Sequence, residues 1–318
     1  MQRKKVAIIG ASGFLGIAVS KELSKKGYEV FGFIRNKQSG LNSIYKSLNI
    51  KTILVGDLET KKKIDLKGNK FNYIINLAAR AHVTKNIVSK NKKENLLNKF
   101  TNIEKNLVKN FDTKNVKFIQ ISSAKVKLNK KNSFITDNEL VYTKAKLASE
   151  KIIKKNFKKY IILRPPLIYG SNVKANFLSL LRIVDMGLPL PFKNLENSRS
   201  YLYIENLIDL ILKIIREDKF LNKNYFVSDG QYVSTKYLTD LMAKNLSRKP
   251  LYFSVNINLL RFLANTFNKR SLFDKVFTDF KIDNSSISKD IGWKPRYNLE
   301  LGIKNTCFWY KTMFKIRN

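Results

Sequence analysis

The segment Val6–Gly16 reads VAIIGASGFLG. Four apolar residues, Val6 to Ile9, predict a short buried strand. Gly10, Gly13 and Gly16 follow at the spacing G-x-x-G-x-x-G. From Phe14 to Lys26 the apolar residues Phe14, Leu15, Ala18, Val19 and Leu23 recur at helical spacing, and Gly27 ends the run. The order is strand, glycine turn, helix. A dinucleotide pyrophosphate needs this order, because bare backbone lets phosphates approach and a helix N-terminus offers unpaired N–H groups and a positive dipole end. Ser12 adds a hydroxyl donor to the same turn.

Outward from this turn, strands and helices alternate. Glu29–Ile34 (EVFGFI) is the second expected strand. A dinucleotide enzyme often carries an acidic residue at its end for the adenosine ribose. Here Arg35 stands there, which cannot accept those hydroxyl bonds but can pair with a 2′-phosphate, so the cofactor expectation is NAD or NADP with a tilt to NADP. Lys51–Val55 is the third strand. Asp57 follows it, at the ligand edge of an open parallel sheet, where it can accept from an adenine amine. Tyr73–Leu77 is the fourth strand; the small residues Ala78 and Ala79 after it allow backbone to lie against a flat ligand. A helix is expected over Lys92–Asn110. Lys117–Ile121 is the fifth strand and delivers Ser122 and Ser123. Tyr160–Leu163 is the sixth, followed by Pro165 and Pro166, which interrupt regular structure. Beyond them come helices near Ala175–Met186, Ile204–Arg216, Thr235–Lys244 and Leu299–Phe314, and a strand near Ser200–Tyr203. The pattern predicts an α/β fold: a Rossmann-type doubly wound parallel sheet over residues 1–170, to which later elements return, and a smaller C-terminal α/β lobe over 171–318 that binds substrate.

Tyr142 and Lys146 stand at i and i+4 in VYTKAKLASEKI, so both project from one helix face. A free phenol titrates near pH 10, too high for a base at neutral pH. A neighbouring ammonium favours the phenolate. A serine hydroxyl at a strand end can hold a substrate oxygen beside the phenol. Serine, tyrosine and lysine on a dinucleotide fold make a hydride-transfer site.

Composition sets the remaining bounds. In 318 residues there are 61 Lys and Arg against 24 Asp and Glu, a net charge of +37. The basic residues are spread along the whole chain with many asparagines and isoleucines, and no helix carries the aromatic-interleaved basic stripe of a base-stacking surface. The expectation is therefore solvated basic faces and no nucleic-acid partner, with a field that attracts phosphorylated substrates. No apolar run reaches 18 residues, so no membrane insertion is expected. The N-terminus enters the first strand directly, without a cleavage-site pattern. The single cysteine, Cys307, and single histidine, His82, build neither a disulfide nor a metal site. His82 is expected to pack near the cofactor, and the cytoplasm is the expected compartment.

At this point the chain resembles the extended short-chain dehydrogenase/reductases of the nucleotide-sugar epimerase/dehydratase family. The matching pieces occur in family order along almost the whole chain: IIGASGFLG, VGDL, NLAARAHV, FIQISSAKV, YTKAKLASE, LRPPLIYG, SRSYLYIENLIDLI and IGWKPRYNLELGI. NLAARAHV, SSAKV and GLPLPF most resemble the branch of sugar 4-epimerases and 4-keto-sugar reductases used for surface polysaccharides. The resemblance implies that Gly10, Gly13 and Gly16, with Ser12, Phe14 and Leu15, bind pyrophosphate. It places Asp57 and Leu58 on the adenine side, Ala78 and Ala79 at the cofactor's middle and Pro165 by the nicotinamide. It makes Ser123, Tyr142 and Lys146 the catalytic trio, with Arg199 and Asn176 on a nucleotide diphosphate. It also implies a homodimer with a four-helix contact that includes the tyrosine helix. The chain departs from the family pattern at Thr143, Ser171 and Lys127, and in a short segment between Ser123 and Tyr142. The expected activity is reversible oxidation at C4 of a UDP-linked hexose, as an epimerase or as an NADPH-dependent 4-keto-sugar reductase. A 4,6-dehydratase is disfavoured, because Ala124 and Lys125 stand where such relatives carry Asp-Glu. A dinucleotide-sensing protein without chemistry would need no tyrosine–lysine pair.

Overall fold

Strand and helix alternate from the start of the chain in the computed structural model, which describes residues 3–36, 39–60, 63–78, 101–128, 137–267 and 269–314. In order these are β1 (Lys5–Ile9), α1 (Phe14–Lys25), β2 (Glu29–Ile34), α2 (Ser39–Ser47), β3 (Lys51–Leu54), β4 (Tyr73–Asn76), a helical stretch α3 over 101–110, β5 (Lys117–Ile121), α4 (Asp137–Asn156) and β6 (Lys159–Arg164). Then come β7 (Leu167–Tyr169), α5 (Ala175–Asp185), β8 (Tyr201–Tyr203), α6 (Ile204–Arg216), β9 (Lys223–Phe226), α7 (Thr235–Leu246), α8 (Ile257–Thr266), α9 (Arg270–Phe277), α10 (Ser285–Ile291) and α11 (Leu299–Phe314). The chain divides into two compact units, Met1–Arg164 with Leu210–Tyr225, and Pro165–Asp209 with Phe226–Asn318.

The first unit is the doubly wound sheet expected from the sequence. Its seven strands lie in the order β3-β2-β1-β4-β5-β6-β9. β1 to β6 pair in parallel, with Ile9 opposite Phe33 on one side and Asn76 on the other. Central strands are apolar on both faces: β4 is buried throughout and β1 at all but its first residue. That is the mark of a parallel sheet covered by helices on both sides. On one side Ala7, Ile9, Phe33, Ile74 and Phe118 pack with Leu107, Phe111, Ile153 and Phe157 in one apolar cluster. Each such large side chain, taken fully out of water, contributes about 1.5–3 kcal/mol. α1 buries Gly16, Val19, Ser20 and Leu23, the i, i+3, i+4, i+7 stripe of an amphipathic helix. Strand order reverses between β1 and β4, and in open α/β sheets the ligand crevice forms at that switch point, beyond the strands' C-terminal ends.

In the second unit β7 and β8 form a short parallel ribbon, Leu167 opposite Tyr201. α7 packs on α11 and on α5. The segment IGWKPRY is a lock. Gly292 ends α10 at φ +67°, Trp293 is 1% exposed and its Nε1 donates to Asp209 Oδ2 at 3.1 Å. Asn206 Oδ1 accepts from the Arg296 and Tyr297 amides, and its Nδ2 donates to the Tyr297 carbonyl.

Candidate active site

The glycine turn sits at the switch point. Gly10, directly after β1, has φ +78°, and a Cβ there would lie 2.9 Å from the Ala78 amide nitrogen, just beyond β4. The two strand ends therefore touch through bare backbone. A Cβ on Gly16 would lie 2.2 Å from the Gly10 carbonyl oxygen, so α1 starts close against the turn. The Gly13 amide donates to the Gly10 carbonyl at 3.0 Å, and Gly13 itself is exposed. Gly13 caps α1 without a side-chain hydrogen bond, which leaves the first-turn amides turned to an incoming anion. Ser12, Phe14 and Leu15 are half-buried around it. This cradle fits a dinucleotide pyrophosphate: glycine is enforced at two positions by backbone contact, and the helix start carries no competing acceptor.

The rim of the sheet places the remaining sequence-derived positions. Arg35 is exposed one residue past β2. Asp57 lies beyond β3, where its Oδ1 accepts from the Glu59 amide at 2.9 Å. Leu58 is 8% exposed; its side chain belongs to the apolar cluster, and its carbonyl accepts from Asn106 Nδ2 at 2.7 Å. The Ala78 amide donates to Asn76 Oδ1 at 3.1 Å. Ala79 and His82 lie outside the described residues.

Ser123 stands two residues past β5 and caps a 3₁₀ turn over Ala124–Lys127, its hydroxyl accepting from the Lys125 amide at 3.2 Å. α4 is fastened to that turn. Thr143 Oγ1 donates to the Lys125 carbonyl at 3.2 Å, and Lys125 Nζ pairs with Glu139 at 2.6 Å. Tyr142, beside Thr143, is half-buried; Lys146, one turn on, is 4% exposed. The strand-end serine and the helix face bearing the phenol and the ammonium are thus held by one set of contacts.

Two buried carboxylates behind this face had no sequence signal. Glu104 of α3 is 2% exposed. It accepts from Asn76 Nδ2 at 3.3 Å and from Ser149 Oγ at 3.1 Å, and Asn76 Nδ2 also reaches Gln120 Oε1 at 3.0 Å. Burial pushes the Glu104 carboxyl above the usual carboxylate range, and the charge of Lys146 pulls it part of the way back. Glu150 of α4, also 2% exposed, accepts from Ser122 Oγ at 2.7 Å and is gripped by the Arg164 guanidinium at 2.9 and 2.5 Å. A bidentate pair of this kind fixes geometry as well as charge. Glu104 ties α4 to β4 through Ser149, and Glu150 ties it to the ends of β5 and β6. A polar residue in a lysine-rich helix looks solvated in sequence, which is why these were missed.

In the second unit, Pro165 is buried at the chain's exit from β6, and Asn176 is exposed in the first turn of α5. Arg199 is half-buried. Its Nη1 donates to the carbonyls of Asp274 and Thr278, and its guanidinium lies 5.8 Å from the Phe280 ring centre. Burial holds its pKa below the ordinary arginine value. Part of its donor fork is therefore spent on the end of α9.

The comparisons with known proteins bear on the family and the fold. Residues 6–227 match the family model "Epimerase: NAD dependent epimerase/dehydratase family". The chain is 31% identical to a UDP-glucose 4-epimerase of Vibrio cholerae, over 95% of this chain and 94% of that one. In fold it is similar to the dTDP-glucose 4,6-dehydratase of Bacillus anthracis in complex with NAD, with TM-score 0.69, 15% identity and 98% of each chain covered. It is equally similar to the UDP-glucuronic acid 4-epimerase of Bacillus cereus in complex with NAD, with TM-score 0.69 and 17% identity over 98% of this chain and 97% of that one. No helix among the described residues is long and apolar enough to cross a membrane. With a family model spanning more than half its length and a relative aligned almost end to end, the chain belongs to the NAD-dependent epimerase/dehydratase family.

Proposed function

We propose that this protein is an NAD-dependent 4-epimerase of a UDP-linked hexose, working through a 4-keto sugar. The observation that carries the reading is the pairing of half-buried Tyr142 with buried Lys146 on successive turns of α4, fastened to the strand end that presents Ser123. The relative of Vibrio cholerae supports the substrate class.

Bound NAD would supply a hydride acceptor at C4 and return the hydride after the sugar has turned. The chain's own part is proton handling and positioning. Tyr142 takes the proton of the C4 hydroxyl, and in the reverse step gives it back to the ketone oxygen. Lys146 stabilises the phenolate form of Tyr142, which is the base that takes this proton. Ser123 donates to the substrate oxygen and sets its distance from the phenol. Gly10, Gly13 and Gly16 hold the pyrophosphate of the cofactor, and the donors assigned to the nucleotide diphosphate are Arg199 and Asn176.

A second reading rests on one observation. Arg35 is exposed where an acidic residue would hold the adenosine ribose, and it suits a 2′-phosphate. That favours a 4-keto-sugar reductase using NADPH. The test is to incubate the protein with a panel of UDP-hexoses and with a UDP-4-keto sugar, following products and nicotinamide absorbance together. A new hexose isomer without net change in absorbance is the result expected of the epimerase. Stoichiometric loss of NADPH with the keto sugar assigns the reductase instead, and no turnover of any of them rejects both.

A further inference from the structure

α8 is turned inside out. It is a properly started helix: the Asn256 side chain accepts from the amides of Asn258 and Leu259 at 2.9 and 3.3 Å. Yet none of its residues is buried. Leu259, Phe262, Leu263 and Thr266, spaced i, i+3, i+4, i+7, form one stripe, and that stripe faces water. Leu259 is 55% exposed, Phe262 65%, Leu263 40%, and Phe267 just beyond is 68% exposed. An ordinary surface helix turns such a stripe to the core. Scattered exposed apolar residues need no explanation, but a contiguous patch marks an interaction surface.

The surrounding charge selects the occupant. Between Asp240 and Asp274 the chain holds no acidic residue, whereas Lys244, Arg248, Lys249, Arg261, Lys269 and Arg270 are basic; of these Arg248 pairs with Asp185 and Arg270 with Asp274. Lys249, eight positions before the helix, and Lys269, three past its end, are exposed. An exposed apolar stripe on a helix that carries no carboxylate, with exposed lysines before and after it in the sequence, suits the headgroup boundary of an anionic bilayer. There the apolar side chains enter the acyl region while the ammonium groups meet lipid phosphates. The net charge of +37 adds long-range attraction to the same surface. We infer that α8, with Phe267, is a docking surface for an anionic phospholipid membrane, holding the protein at the bilayer face without spanning it. This inference is independent of the reaction proposed above and uses none of its residues.

The test is co-sedimentation of the purified full-length protein with vesicles of phosphatidylcholine alone and of phosphatidylcholine mixed with phosphatidylglycerol. It is run on the wild type, on the double variant Phe262→Ser/Phe267→Ser, and on Lys249→Glu/Lys269→Glu. The wild type is expected to sediment with the mixed vesicles and not with phosphatidylcholine. Each phenyl removed from the boundary should cost about tenfold in partitioning, and the lysine reversals should weaken binding and its salt dependence. Both phenyl groups are exposed, so the melting temperature should not move. Failure of the wild type to sediment overturns the inference. So does sedimentation that ignores the phenylalanines, since binding would then come from diffuse charge. If gel filtration shows a self-associated species that the phenylalanine variant dissolves, the stripe is covered by a second copy and the inference is likewise wrong.

Discussion

Both units of this protein bury carboxylates, and Glu104 and Asp229 are used differently. Glu104 in the first unit is bonded to Asn76 and to Ser149 of α4 and lies within the electrostatic reach of Lys146. Asp229 in the second unit has only neutral donors: the Tyr203 amide at 3.0 and 2.9 Å, Asn206 Nδ2 at 2.7 Å and the Tyr169 hydroxyl at 3.2 Å. Burial pushes Asp229 from the usual 3.8 up to about 6. One carboxylate adjoins Lys146, the ammonium proposed to assist Tyr142; the other fastens β8 and α6 to β7. The first lies beside the face proposed for chemistry, whereas the second binds parts of its own unit together.

That contrast can be broken at several points. The largest effect is expected from Tyr142→Phe, which removes the proposed proton carrier and leaves the fold: kcat should fall by about 10²–10⁴ with NAD affinity and melting temperature retained. A variant that keeps most of its turnover would remove the phenol from the reaction. Asn206→Ala is the opposite case. It deletes the bonds to Asp229 and to the Arg296–Tyr297 backbone and should cost about 3 kcal/mol in denaturant unfolding, with kcat per folded molecule unchanged. A loss of kcat without loss of stability would give the second-unit network a part in chemistry.

The pH dependence separates the carboxylates further. Because the folded pKa of Asp229 is raised, its stabilising contribution is present below about pH 4 and is lost as pH rises through about 6. Wild type should therefore lose about 3 kcal/mol relative to Asp229→Asn across that window, measured as the difference in unfolding free energy between the two at each pH. A difference that stays flat rejects the assignment. Glu104→Gln is the mildest change, since the amide keeps the shape and an acceptor oxygen. The same sign applies, so the variant should gain melting temperature over wild type as pH rises through the folded value of the carboxyl. Its pH–activity profile should also shift, because Lys146 loses a neighbouring negative charge. A moved profile with Glu104→Gln and an unmoved one with Asp229→Asn is the outcome the comparison demands.

Most of the first unit was legible because its signals are local. Strand, glycine turn and helix follow one another within Val6–Lys25, and the strand-end positions after β1, β3, β4 and β5 line one edge simply because the strands are parallel. Tyr142 and Lys146 declare themselves through a four-residue spacing. What was not legible is long-range. Glu104 meets Asn76 and Ser149 from 28 and 45 positions away, and nothing in a helix rich in lysine and asparagine sets it apart. In the second unit the family-like segments YIEN and IGWKPRY turn out to grip each other through Asn206, a structural use that motif reading does not reveal. α8 escaped the sequence reading altogether; with its apolar stripe facing out, the buried side of that helix is only Leu260, Arg261 and Ala264, each half-covered.

Cys307 is the protein's single thiol, lying on α11 with its sulfur 3.9 Å from the Met242 carbonyl of α7 and fully enclosed. Burial pushes it up to about 12, so at neutral pH it is almost wholly protonated and inert. A thiol-reactive dye can reach it only when α11 lifts from α7. The native chain thus carries its own stopwatch: the labelling rate at one atom reports how often that helix pair opens, with no cysteine to add or remove.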